Sequence, residues 1–574
     1  MKSRLLPYLF ITVIAATLFI PFLGAVHLFD WDEINFAECA REMIVSKNYS
    51  TVQIGFLPFW EKPPLFIWMQ VLSMKVFGIN EFAARFPNAV CGIVTLLVIY
   101  HTGRRIYDEK FARYWTLAFA GSLLPTFYFH SGIIDPWFNL FIFLGIFQFV
   151  IYTNEFPSSS TQKFFNRNIF LSAFFISLAV LTKGPVALLV FGLCFITWRV
   201  RTRRKVMSWQ HFFLYAIVAA LIPGLWFLSL IVSGKGNLIM EFLLYQVRLF
   251  NTEDAGHGGS YFYHVIVLLV GCFPASVFAI QPVIKKSSDT PFELHMLKWM
   301  RILFLVVLIL FSIVKTKIIH YSSLCWFPLT YLAAYSFYKL SSGHFEWRRW
   351  MGIAITALAT LYIAAFTLLP FIDHFKADIL SSVKDPFAAG NLQVNAHWKG
   401  FEWITGILFA AGVFAALFFF RKKNFERGFR FLFIGTLVTT TLAAVLFTPR
   451  VEEYSQATAI DYWERHSYSE FYLETIGYKS YAHYFYGKVQ PTIAGNPYFE
   501  KYKSENAAKL YNKNLSQSEN EIALRREWML SGPIDHPAYF ICKNTFRKEV
   551  ERYYPTLRFT GEKNGFVFWE RIPQ

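Results

Sequence analysis

Apolar runs of about 20 residues recur along this chain, and that is the length a helix needs to cross a bilayer. They start near Leu5, Phe82, Tyr114, Trp137, Asn168, Pro185, Phe212, Tyr261, Ile302, Ile319, Met351, Phe401 and Phe431. By the length criterion they predict about 13 transmembrane helices. Composition agrees: 55% of the 574 residues are hydrophobic, 16% are charged, and the mean hydropathy is +0.36. An ordinary soluble domain is excluded, and the fold class is an α-helical polytopic membrane protein. Segment 65–77 is apolar but short, and it reads as an interfacial or re-entrant helix. Lys2 and Arg4 ahead of the first run resemble the start of a signal peptide. The length of run 5–26 and the lack of a small-x-small cleavage site predict an uncleaved first span instead.

The net charge is +17, which raises nucleic acid as a partner. The basic residues do not form one patch, however. They recur in short clusters between apolar runs, as in cytoplasmic loops, so no nucleic-acid partner is expected. Arg104 and Arg105, Arg199 and Arg201, Lys285 and Lys286, Arg348 and Arg349, and Arg421 to Lys423 fall on one side if the N-terminus is cytoplasmic. Loop 27–81, the Asp135-Pro136 turn, Lys183, loop 233–260 and turn 315–320 then face outside. An odd number of spans puts the C-terminal segment outside as well. The six cysteines show no CxxC pair and no zinc-type spacing, so no metal or redox role is expected of them.

From about residue 449 the chain is richer in charge and tyrosine. No apolar run of about 20 residues remains there. Tyr539 to Cys542 and Phe566 to Trp569 read as strands, and 500–509 and 516–528 as helices. The expected organisation is a membrane domain, 1–448, whose catalytic first outer loop is 27–81, and an extracytoplasmic α/β domain, 449–574. No Gly-rich phosphate loop follows a strand, which argues against ATP-driven transport.

Several polar residues need explaining in so apolar a chain. Asp32 and Glu33 stand just outside the first run, within Asp30-Trp31-Asp32-Glu33. They read either as a solvated turn capping a helix from near Ile34 or as carboxylates with a function. Asp135, ahead of Pro136 and an apolar run, reads as an N-cap with proline in the first turn, which is compatible with facing a cavity. Lys62, Lys183, Arg248, Lys315 and Lys317, with His320 and Tyr321 nearby, lie on the side that should be poor in cations. Singly, each reads as a side chain snorkelling to the interface. As a set, they suit a phosphate or pyrophosphate. His257, in Gly256-His257-Gly258-Gly259, reads as a loop residue or a metal ligand.

These residues in this order resemble a known group. It is carried by Asp32-Glu33, Ala37-Glu38, Ala40-Arg41-Glu42-Met43, Glu61-Lys62-Pro63-Pro64, Phe82-Ala83-Ala84-Arg85-Phe86-Pro87, Asp135-Pro136, Leu181-Thr182-Lys183-Gly184-Pro185 and Lys315-Thr316-Lys317 with His320-Tyr321. The chain resembles the aminoarabinose-transferase and protein-mannosyltransferase group, GT-C membrane glycosyltransferases that use polyprenyl-phosphate sugars. The resemblance implies that Asp32 is the catalytic aspartate, with Glu33 beside it, and that Asp135 is the second acidic residue. It puts Lys62, Lys183, Arg248, Lys315, Lys317 and Tyr321 near the lipid phosphate, and Glu61 with His257 where one branch has been given a metal. No cofactor is required on this reading, and a divalent metal is the one cofactor it offers. The chain differs from the group at Asn35-Phe36, where a basic residue and Tyr often follow the acidic pair, and at Tyr245-Gln246, where many members carry Glu-His.

The expected activity is transfer of a hexosyl or pentosyl group, with inversion, from a polyprenyl-phosphate (undecaprenyl-phosphate) sugar. The acceptor is a lipid A-like lipid, a protein or a surface glycan at the outer face of a bacterial inner membrane. One carboxylate acts as base, and cations stabilise the departing phosphate. The rival reading is a transporter or flippase of polyprenyl-linked sugars, which would more often show related motifs in two halves of the chain.

Overall fold

A computed structural model describes residues 2–155, 165–203, 206–251, 258–284, 289–467, 471–513 and 515–573. Each apolar start falls on a helix or within a few residues of one. The first half runs α1 (Lys2–Phe19), α2 (Asp32–Ser46), α3 (Leu65–Phe77), α4 (Glu81–Ile106), α5 (Glu109–Ala120), α6 (Leu123–Tyr128), α7 (Asp135–Glu155), α8 (Arg167–Lys183), α9 (Val186–Thr202), α10 (Trp209–Val232) and α11 (Asn237–Asn251). There follow α12 (Tyr263–Gly271), α13 (Ala275–Ile284), α14 (Pro291–Ile313), α15 (Trp326–Ser341), α16 (Arg349–Leu368), α17 (Lys376–Ser382), α18 (Pro386–Leu392), α19 (Ile404–Arg421) and α20 (Phe425–Leu446).

The protein is a multi-pass membrane protein, but length alone does not support every expected crossing. Among the described residues, seven helices are long and apolar enough to cross a membrane, or eight if α12 and α13, bent by 115°, form one span. Several expected spans are too short for that criterion. They include α8 and α9, at 17 residues each, and α15, at 16. The run expected from Ile319 opens instead with a 3₁₀ turn, Ile319–Cys325, before α15 begins. Apolar composition reads the same whether a chain crosses, bends or breaks. The short apolar helix α3 has the expected bounds, 65–77.

Local signals explain the boundaries that matter to the site. Asn80 caps α4 by accepting from the Ala83 amide at 2.9 Å, and Glu81 lies in its first turn. Such a carboxylate complements the helix dipole. Helix α8 ends at Lys183 because Gly184 takes φ +108°, which a side chain would oppose, and Pro185 follows. Helices α7 and α8 pack closely at Gly145. A Cβ there would meet Ile176 at 2.9 Å, and Ser172 donates to the Gly145 carbonyl at 2.7 Å.

Beyond α20 come α21 (Thr448–Glu453), α22 (Ala457–Arg465), α23 (Ala482–Tyr486), α24 (Pro497–Leu510), α25 (Gln517–Ser531) and α26 (Arg547–Tyr553). The loop after α2 carries a small hairpin, β1 (Gln53–Ile54) and β2 (Leu57–Pro58). The C-terminal segment forms a four-stranded sheet of β3 (Tyr472–Ile476), β4 (Ala538–Lys543), β5 (Arg558–Lys563) and β6 (Phe566–Arg571), in the order β3-β4-β6-β5. β3 and β4 are parallel, and the other two pairs are antiparallel. The strands expected at 539–542 and 566–569 lie within β4 and β6. The expected helices lie within α24 and α25, the latter opened by a Ser516/Glu519 capping box.

Loop 27–81 does not stand apart from this C-terminal segment. Leu28, Ile34, Ala40 and Met43 share one buried cluster with Trp463, Phe485, Tyr486, Ile541 and Phe566. Arg41 forks onto buried Glu38 at 2.7 and 2.6 Å, and it donates to the Val489 carbonyl at 2.8 Å. Glu42 accepts from the Gly55 and Phe56 amides at 2.6 and 2.7 Å, fixing a hairpin turn whose two residues both have positive φ. Arg525 closes on the Gly55 carbonyl at 2.8 Å. The C-terminal segment thus packs on α2 and its hairpin.

Candidate active site

Helix α2 opens at Asp32 itself. Trp31 occupies the cap position, without a side-chain cap bond. The capping role open to Asp32 is therefore not the one adopted. Its carboxylate is 29% exposed and faces His320, with Oδ2 at 3.4 Å from Nε2. Asp135 opens α7 and is 3% exposed. Its Oδ1 accepts from Lys183 Nζ at 2.6 Å, while Oδ2 is buried without a hydrogen-bond partner, 3.9 Å from the same His320 nitrogen. His320 therefore sits between the two carboxylates, which come from chain segments about a hundred residues apart. Asp135, Lys183, Asp32 and Lys62 are the charges that act on it.

Glu33 does not fit a catalytic role. It is 5% exposed, and both its oxygens are taken. Arg85 donates to them at 3.1 and 2.9 Å, Phe29 N at 2.8 Å, and Gly132 N adds a further bond. Arg85 spends its remaining donors on the carbonyls of Leu23, Val26 and His27 at 2.6–2.8 Å. A buried carboxylate so satisfied holds its helix in place and has no lone pair left for a substrate proton. Glu33 thus anchors the first turn of α2, next to Asp32.

The cations separate in the same way. Lys317 is 4% exposed and turns back on the end of α14, donating to the carbonyls of Phe311, Ser312 and Val314. It caps the helix C-terminus and does not face a common anion. Lys315 is exposed and makes no hydrogen bond or ion pair among the described residues. Lys183 is bound to Asp135, and its ammonium lies 5.1 Å from the Tyr321 ring centroid. Lys62 and Arg248 do converge, each 5.2 Å from the face of the Tyr245 ring. Each contact is favoured by the electron-rich face of the ring.

Glu61 belongs to this mouth. Tyr245 donates to Glu61 Oε2 at 3.1 Å, so the tyrosine that stands where related chains carry glutamate satisfies this carboxylate directly. His257 lies outside the described residues. Among the described residues no group of three or more His, Cys, Asp or Glu is arranged to hold an ion. No step is assigned to a metal.

Two residues were not singled out from sequence. His320 was read only as a neighbour of the cations, and Arg85 only as part of a motif. A histidine two residues beyond a Lys-Thr-Lys-Ile run and an arginine inside an apolar helix are the signals that pointed to them.

Comparison with known proteins finds similarity in both sequence and fold. The family described as dolichyl-phosphate-mannose-protein mannosyltransferase matches residues 61–227. An undecaprenyl phosphate-alpha-4-amino-4-deoxy-L-arabinose arabinosyl transferase of Proteus mirabilis is 25% identical over 58% of this chain and 60% of its own length. One of the same name from Shewanella sediminis is 26% identical over 54% of this chain and 56% of its own. The matches thus span a little over half the length of these curated relatives. A crystal structure of ArnT from Cupriavidus metallidurans bound to undecaprenyl phosphate superposes with a TM-score of 0.72, at 17% identity, over 99% of both chains. That likeness extends the shared fold through the C-terminal sheet. By sequence over part of its length and by fold over nearly all of it, the chain is thus similar to aminoarabinose transferases, and over residues 61–227 to the protein-mannosyltransferase family.

Proposed function

We propose that this chain is an inverting glycosyltransferase that moves a sugar, a pentose on the names of its curated relatives, from a polyprenyl-phosphate carrier to an acceptor. The observation that carries the reading is the pair Asp32 and Asp135 meeting at His320, beside a mouth where Lys62 and Arg248 converge. Asp32 is the partly exposed member and acts as general base. It takes the acceptor proton as the acceptor oxygen attacks the anomeric carbon, and the lipid phosphate departs from the opposite face. A positioned base contributes about 10²–10⁴-fold. His320 holds the Asp32 carboxylate in place and can pass the proton on. Asp135 Oδ2, buried and without a partner, accepts from a sugar hydroxyl and so fixes the donor ring. Lys62 and Arg248 stabilise the charge that grows on the leaving phosphate, and Lys183 holds Asp135 in place through Oδ1. The acceptor classes are a lipid A-like lipid, a protein or a surface glycan. Loop basicity supports a site on the outer face of the inner membrane. A carrier that only moved the lipid would have no use for a carboxylate poised as a base. The test is transfer by the purified full chain in detergent. Product should form from an undecaprenyl-phosphate pentose with release of undecaprenyl phosphate. Facilitated movement of the lipid across vesicles without any sugar transfer would overturn the reading.

A further inference from the structure

Segment 131–134, which leads into Asp135, has no regular structure of its own, and residues 132–136 are all buried. Buried backbone groups need hydrogen-bond partners, and here side chains from three other helices supply them. Asn88 of α4 is 0% exposed, and its Nδ2 donates to the Ser131 and Ile133 carbonyls at 2.6 and 2.7 Å. Both neighbours are carbonyl oxygens, so the amide nitrogen is the atom that must face them. Asn88 Oδ1 is buried without a hydrogen-bond partner among the described residues, so nothing on that side competes for the amide. Gln70 of α3 donates to the Ala84 carbonyl at 2.9 Å and reaches the Gly132 carbonyl at 3.5 Å. Glu33 of α2 accepts from the Gly132 amide. Trp137, in the first turn of α7, donates to the Pro87 carbonyl of α4 at 3.0 Å.

Arg85 and Asn88 are three residues apart on α4, so they share one face of that helix. Arg85 binds Glu33, the neighbour of Asp32, and Asn88 binds the segment that precedes Asp135. A single turn of α4 thus joins the carriers of both carboxylates. Lys183 holds Asp135 at its Oδ1, but a flexible four-carbon stem follows a carboxylate wherever its backbone goes. We infer that Asn88 is a positioning residue for Asp135. Through Ser131 and Ile133 it sets the start of α7, which keeps Asp135 Oδ2 at 3.9 Å and Asp32 Oδ2 at 3.4 Å from the same His320 nitrogen. A shift of about 1 Å in a reacting group can cost about 10²-fold in rate, so a clamp on the backbone alone matters to the chemistry. This role rests on the glycosyl-transfer reading and adds to it a residue that acts through another.

Two readouts on the full-length protein in detergent test this, one of them independent of turnover. Asn88→Ala removes both donor bonds. Gly132→Ala is the second variant: a Cβ there meets the Ala84 carbonyl at 3.3 Å and Gln70 Nε2 at 3.5 Å, so it parts the same seam without removing a hydrogen-bonding side chain. Amide hydrogen exchange of peptides covering 129–137 should rise in both variants, while peptides from β4 and β6 exchange as in wild type. Single-turnover transfer from an undecaprenyl-phosphate pentose should slow about tenfold or more in Asn88→Ala, with undecaprenyl phosphate affinity unchanged. Where Asp135→Asn is already present, Asn88→Ala should slow the step by less than about threefold more, because the two changes act through one group. A full loss on top of Asp135→Asn overturns the inference, since Asn88 then acts elsewhere. Exchange unchanged in both variants overturns it as well, whether or not the protein transfers sugar. Gly132→Ala carries the same readouts, in the same direction, where Asn88→Ala does not fold. A wild type that transfers no pentose, with exchange raised in the variants, sinks the transfer reading and keeps Asn88 as the clamp on Asp135.

Discussion

Replacing Arg85 of α4 with leucine should unseat α2. The Arg85 side chain makes five hydrogen bonds, two to Glu33 and three to carbonyls between α1 and α2, and is 4% exposed. Removing one partner of a buried ion pair leaves an uncompensated charge, which costs about 3–5 kcal/mol. Three carbonyls lose charged donors as well, each such bond being worth about 1.5–3 kcal/mol. These losses are not additive, because the freed loop relaxes, so about 5 kcal/mol is expected. Thermal unfolding of the detergent-purified protein, followed by tryptophan fluorescence, should show a midpoint several degrees lower. Turnover should fall too, because Asp32 shares its helical turn with Glu33. Glu33→Leu combined with Arg85→Leu removes both charges. That double variant should recover much of the lost stability and part of the turnover, since an apolar pair can replace a buried ion pair at little cost. If Arg85→Leu melts like wild type, the clamp contributes nothing. If the double variant loses the sum of the two singles, Glu33 works on substrate after all.

Other consequences follow from the same geometry. Lys62→Ala and Arg248→Ala should each weaken use of the polyprenyl-phosphate donor about tenfold or more, from a charge-assisted contact worth about 1.5–3 kcal/mol. Steady-state KM for the donor reads this, and an unchanged KM in both would leave the two side chains as snorkelling residues. A reporter active only outside the cytoplasm, fused after Gln574, should give signal, and a silent but stable fusion would reverse the assigned orientation. Burial holds the His483 imidazole down at about 4, against an ordinary 6.5. The unfolded chain therefore takes up the proton first. This contribution to stability is complete above about pH 6.5 and is lost as pH falls toward 4, by at most about 1.4 kcal/mol per pH unit. Thermal midpoints measured between pH 7 and 4 should drop more steeply for wild type than for His483→Gln.

The charged residues at the ends of apolar runs were easier to read in the sequence than their pairings. Asp32 and Asp135 stood out because carboxylates at the mouths of apolar runs are rare, and α3 and strands β4 and β6 followed from length and apolar pattern. What could not be read was which charge meets which. Arg85 reaches Glu33 across 52 residues and Lys183 reaches Asp135 across 48, and these partners are set by helix packing that no local pattern encodes. Lys62 and Lys317 look alike as loop lysines, yet one lies against the Tyr245 ring and the other is consumed by the carbonyls of its own preceding helix. The joining of loop 27–81 to the C-terminal sheet was equally hidden. Apolar residues of α2 read as helix core, whether they face the membrane helices or a sheet four hundred residues later.

The most direct measurement is single-turnover transfer by Asp32→Asn at saturating donor. The amide keeps the size of the carboxylate and its contact with His320, but it cannot accept the acceptor proton. The chemical step should slow by about 10² or more, with undecaprenyl phosphate affinity unchanged and thermal stability within a degree or so of wild type. A near-normal chemical step in a correctly folded Asp32→Asn protein would contradict the assignment of Asp32 as the base.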